Sequence, residues 1–67
     1  METLRHLLQG IDGDVHVTIE LSPYLIGYSK AKDVEKRYPE YLDTIVNGVM
    51  TDEDGELIIS LVTKRRE

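Results

Sequence analysis

The chain contains no cysteine, no tryptophan and no phenylalanine, and only two prolines. Without cysteine there is neither a disulfide nor a thiolate metal site, two devices that commonly hold very small domains together. Apolar runs stay short, the longest being stretches such as Leu57-Ile58-Ile59, far below the roughly 20 residues of a membrane-spanning helix. Met1 is followed by no basic-then-apolar leader. No membrane association and a cytoplasmic location are therefore expected. Positive charge is also in the minority, 8 Lys and Arg against 13 Asp and Glu, for a net charge of −5 and a pI near 4.9. That balance opposes phosphate backbones and anionic lipid surfaces and makes nucleic acid an unfavoured partner.

The 67 residues present, 40% hydrophobic and 31% charged, have the composition of one folded domain spanning 1–67 with no room for a second core. Chains of this size bury too little surface to be stable on composition alone, so regular packing or a partner subunit has to supply the rest.

Periodicity lays out the elements. Leu4, Leu7, Leu8 and Ile11 recur at helical spacing, predicting a helix over 2–9 with Thr3 as N-cap and Gly10 as a left-handed residue closing it. After the Asp12-Gly13-Asp14 turn the period becomes two. Val15, Val17, Ile19 and Leu21 alternate with His16, Thr18 and Glu20, which predicts a strand with one buried and one wet face. Ser22-Pro23 interrupts it and leaves Tyr24–Tyr28 open between a helical turn ending at Gly27 and some other conformation. Ser29 then reads as an N-cap for a helix over about 31–42, kinked or broken at Pro39. The C-terminal third reads as an antiparallel hairpin, Thr44–Met50 with Glu56–Thr63, turning at Asp52-Glu53-Asp54-Gly55. There Gly55 supplies a positive φ in a turn followed by a bulge. The expected fold is small α+β, a three-stranded antiparallel sheet with one or two short helices in the order α-β-α-β-β.

On the last strand Leu57, Ile59 and Leu61 point one way while Ile58 and Val62 point the other, so that strand is expected to be covered on both faces. Two short helices seal both with difficulty. Ile58 and Val62 therefore become candidate contacts for another protein or a second copy of the chain, a homodimer.

The remaining candidates come from charge and aromatic placement. Residues 38–63 carry −6, concentrated at Asp52, Glu53, Asp54 and Glu56. These acids either solvate a turn or imitate a phosphate array for a basic site on a target. As a calcium loop they fail, since Gly55 at the sixth position puts Met50 first and Leu61 twelfth, where acids are needed. The four tyrosines, Tyr24, Tyr28, Tyr38 and Tyr41, lie beside Lys30, Lys32, Lys36 and Arg37. Tyrosine is suited both to a core boundary and to contact hot spots, and Tyr24 and Tyr28 are taken as candidate contacts. Lys64-Arg65-Arg66, just before Glu67, is expected near Glu40 and Asp43 in a hairpin geometry. His6 and His16 fall on different elements without metal-ligand spacing, and no serine sits in a nucleophile elbow.

No catalytic residue, metal or cofactor is assigned, and the chain is not expected to be an enzyme. The expected function is a small acidic protein-binding module, an inhibitor or regulator presenting its acidic hairpin to a basic site. Alternatives are a homo-oligomeric structural or accessory subunit, and a nucleic-acid binder using the Lys30–Arg37 helix and neighbouring tyrosines.

Overall fold

A computed structural model describes residues 2–21 and 23–62. Helix α1 spans Leu4–Leu8, followed by strands β1 (His16–Leu21) and β2 (Tyr24–Lys30), helix α2 (Ala31–Arg37), a 3-10 turn over Pro39–Tyr41, and strands β3 (Val46–Thr51) and β4 (Leu57–Leu61). The α+β class stands, but the sheet has four strands in the order β2-β1-β4-β3 and is mixed. Two antiparallel hairpins lie side by side, and their inner strands β1 and β4 run parallel.

The fourth strand comes from the segment after Pro23, where local preference is ambiguous. Pro23 ends β1 without starting a helix, and Tyr24–Lys30 folds back on β1 as an edge strand, pairing Tyr24 with Leu21 and Lys30 with His16. A bulge between Ile19 and Glu20 leaves Ile26 opposite no partner. Gly27 fits there, because a Cβ at that position would overlap the hydroxyl end of the Tyr38 ring.

Extending the strand to Lys30 also displaces Ser29 from the capping role expected of it. Ser29 is buried, and its Oγ donates to the Lys30 carbonyl at 3.1 Å. Lys30 occupies the N-cap position without a side-chain cap. The orphan N–H groups of α2 are satisfied by backbone instead, Ala31 to Val15 O at 2.8 Å and Lys32 to Gly13 O at 3.0 Å. The break at Pro39 occurs as expected, α2 stopping before it and the 3-10 turn starting on it.

α1 is capped by Thr3, whose Oγ1 accepts from His6 N–H at 3.2 Å. Gly10 does not take the left-handed conformation expected of it, since the one glycine with positive φ among the described residues is Gly55. The helix ends on Gln9 in right-handed geometry, with Gln9 and Gly10 N–H groups donating to the His6 and Leu7 carbonyls. Five residues do not hold a helix alone. α1 is tied to the chain before β3 by Leu4 N–H to Thr44 O and Arg5 N–H to Leu42 O, while Val46 N–H donates back to Glu2 O. Arg5 also pairs with Asp43 at 3.2 Å.

One cluster forms the core: Leu4 from α1, Val17 and Ile19 from β1, Ala31 and Val34 from α2, Leu42, and Ile59 and Leu61 from β4. Both helices therefore cover the same face of the sheet. The expectation that the last strand is covered on both sides is not met among the described residues, because the helices meet each other as well as the sheet and neither reaches the other side.

Candidate functional site

Paired strand residues project to the same side of a sheet, so the register assigns each side chain to a face. The covered face holds the rows Ser29–Val17–Leu57–Thr51 and Gly27–Ile19–Ile59–Val49. The open face holds Tyr28–Thr18–Ile58–Met50 and Leu25–Glu20–Ser60–Gly48, with His16 and Lys30 paired at one end. Its apolar members are largely in water: Leu25 is 69% exposed, Met50 60% and Tyr28 49%. Val62, one step beyond β4 and in phase with Ser60, is exposed as well. A small monomer commonly scatters such residues singly, whereas here they collect on one sheet face.

Tyr28 organises one end of this face. Its ring stacks on His16 with centroids 5.4 Å apart and planes 12° from parallel. Its hydroxyl donates to Glu56 Oε2 at 3.0 Å. That bond, followed by partial desolvation and the charges of Glu56, Asp52 and Asp54, pushes the Tyr28 hydroxyl above its ordinary pKa of 10.0. The field of the acidic tip thus extends onto the sheet face.

The tip itself splits into structural and solvated acids. Asp52 Oδ1 accepts from Asp54 N–H at 2.8 Å and Glu56 N–H at 3.0 Å. Backbone bonds from Asp52 N–H to Glu56 O and from Gly55 N–H to Asp52 O close the loop, with Gly55 at φ 82°. This is the expected turn followed by a glycine bulge, and Asp52 builds it. Glu53 and Asp54 are exposed.

Of the residues singled out from sequence, Tyr28, Ile58 and Val62 come together on the open face, with Glu56 joined to them through Tyr28. Tyr24 separates from this group, since it pairs with Leu21 and belongs to the covered side's phase. Tyr38 and Tyr41 are half-buried against the core. Sequence reading missed Leu25 and Met50. Alternation within β2 and β3 would identify both, but only once β2 is known to be a strand and its bulge is placed.

Two open grooves of about 300 Å3 each flank the sheet. One wraps the β2 edge, where His16, Tyr28 and Lys30 meet Lys32, Asp33 and Arg37 of α2. Lys32 is engaged with Asp14 at 3.3 Å. The other runs between α1 and α2 past Arg5, Leu8 and Leu42. Among the described residues no group of three or more His, Cys, Asp or Glu is placed to hold a metal, and no helix is long and apolar enough to cross a membrane. The tail Lys64-Arg65-Arg66, together with Thr63, lies outside the described residues; Asp43, one of its expected neighbours, is paired with Arg5. Comparison with protein-family models, curated proteins and solved structures finds no match to this chain.

Proposed function

We propose that this chain acts by binding a protein surface rather than by catalysis, and that its docking surface is the open face of the sheet. One observation carries the reading: both helices pack on one side, leaving Leu25, Tyr28, Met50, Ile58 and Val62 together on the other. The one buried polar side chain among the described residues, Ser29, is spent on a backbone carbonyl, which supports a binding role over a chemical one. The acidic tip flanks this face as a charged rim, where it contributes to partner choice and association rate more than to affinity. A nucleic acid is disfavoured on the same face, because Glu56, Asp52 and Asp54 project a negative field onto Tyr28, its stacking aromatic.

The test exploits the two faces of β3. Met50 belongs to the open face and Val49 to the covered face, and both are exposed. Tagged wild-type protein, Met50→Glu and Val49→Glu are used side by side to capture partners from the source cell, including endogenous copies of the chain. Retention of a partner by wild type and Val49→Glu with loss in Met50→Glu supports the reading. Equal retention by all three overturns it.

A further inference from the structure

We infer that the occupant of the open face is a second copy of this chain, the two sheets packing face to face about a two-fold axis parallel to their strands. This inference rests on the docking reading above and adds the identity of the partner. It comes from the order of residues across the face.

A two-fold axis along the strands, midway between β1 and β4, lays β2 of one copy over β3 of the other and β1 over β4. Each row of the face is then read against its own reverse, as an isologous interface requires. The end row runs Lys30, His16, Glu56, Asp52, His16 and Glu56 being neighbours by extension of the Val17–Leu57 register and the last two joined by Asp52 N–H to Glu56 O at 2.9 Å. Reversed, it sets Lys30 over the second copy's Asp52 and His16 over its Glu56, so basic meets acidic at both ends. The next row, Tyr28–Thr18–Ile58–Met50, sets the exposed Tyr28 ring against the flexible Met50 thioether, a favourable sulfur–aromatic contact. In the third row, Leu25–Glu20–Ser60–Gly48, Leu25 falls over Gly48. A Cβ at Gly48 would meet nothing within 4 Å, so the backbone there leaves room for a knob. Glu20 falls over Ser60, with which it already shares a hydrogen bond at 3.3 Å within one chain.

A basic, an aromatic and an aliphatic residue on the β2 side thus meet an acid, a thioether and a glycine on the β3 side. The alternative two-fold axis, perpendicular to the strands in the sheet plane, would instead set the charged end row over the strand ends near Val62. Aligned packing at about −30° and 10 Å separation is the ordinary geometry for two such sheets. Four strands of five to seven residues present a face only roughly 19 Å wide, which places the interface among the smaller ones and its affinity accordingly toward the weak end.

The experiment is sedimentation equilibrium of the purified full chain from low micromolar to submillimolar concentration. Circular dichroism confirms that each variant is folded. Wild type is expected to reach a dimer. Lys30→Glu, and separately Asp52→Lys, are each expected to weaken self-association by about tenfold or more, because an acid then faces Asp52, or a base faces Lys30, at both ends. Asp52→Asn, which keeps the side-chain acceptor that holds the turn and removes only the charge, controls for any loss of those hydrogen bonds. Mixing the two variants in equal amounts is expected to restore a heterodimer, since each altered side meets its complement. Three results overturn the inference: a wild-type monomer at every concentration, a dimer indifferent to both charge reversals, or a monomer that binds a single-stranded oligonucleotide through the same face. A monomeric wild type whose capture of another protein still depends on Met50 removes the second copy and leaves the docking surface standing. Capture indifferent to Met50 removes both.

Discussion

Gly27 and Tyr38 form a pair that neither residue advertises. The tyrosine closes α2 and lays its ring across the edge strand, and the glycine is where the strand makes room for it. Gly27→Ala is expected to cost about 1–3 kcal/mol through overpacking, read as a fall in the urea midpoint. In Gly27→Ala/Tyr38→Leu the two losses should be less than additive, since the clash is gone once the ring is removed. Tyr28 makes a different kind of prediction. Its hydroxyl is held protonated, first by the bond to Glu56 and then by the surrounding acids, so it titrates above 10.0 in the folded chain. The stabilisation is fully present below the unfolded pKa and is lost as pH rises through the folded one. Tyr28→Phe should therefore lose less stability than wild type on passing into strongly alkaline solution. Glu56→Gln should return the Tyr28 absorbance titration toward its ordinary midpoint.

At the scale of elements, the β3–β4 hairpin owes its closure to one acid among four. Asp52 serves two backbone N–H groups and accepts a third bond through its carbonyl, whereas Glu53 and Asp54 make no side-chain hydrogen bond among the described residues. Asp52→Ala should destabilise the domain by about 1 kcal/mol, and Glu53→Ala should stay within about 0.5 kcal/mol of wild type. Thermal melts of the two variants distinguish a tip in which the acids are interchangeable from one in which they are not. α1 shows the opposite dependence, on its surroundings. Its apolar spacing is plain in the sequence, yet its first N–H groups are satisfied by carbonyls of Leu42 and Thr44, nearly forty positions away. The helix exists because Leu4 reaches the core, where it is fully buried.

For the whole molecule, the sheet is strongest at its centre. β1 and β4 are flanked on both sides and carry Val17, Ile19 and Ile59, all fully buried, while β2 and β3 are edges. Amide hydrogen exchange should be slowest in β1 and β4 and faster in β2 and β3. If the outer strands protected as well as the inner ones in dilute monomer, the assigned strand order would be wrong.

What could be read from the residues alone follows from local chemistry. Period-two alternation in β1 and β4, helical spacing in α1, the stop at Pro39 and the positive φ at Gly55 each depend on a few neighbours, and each is found where expected. The candidate contacts Ile58 and Val62 were legible for the same reason, because opposite phase to Leu57, Ile59 and Leu61 follows from alternation within one strand. Tertiary structure decided the rest. Tyr24–Lys30 is a strand because β1 offers it an edge, and Ser29 is a buried strand residue because α2 draws its capping from Val15 and Gly13. The parallel join of β1 to β4 pairs residues forty apart, such as Val17 with Leu57 and Ile19 with Ile59. Alternation says which side a residue points to and carries no information about which strand lies beside it. The open face is a consequence of that join. Two hairpins sharing one sheet place both helices on the same side, and the apolar residues of the other side are covered by neither.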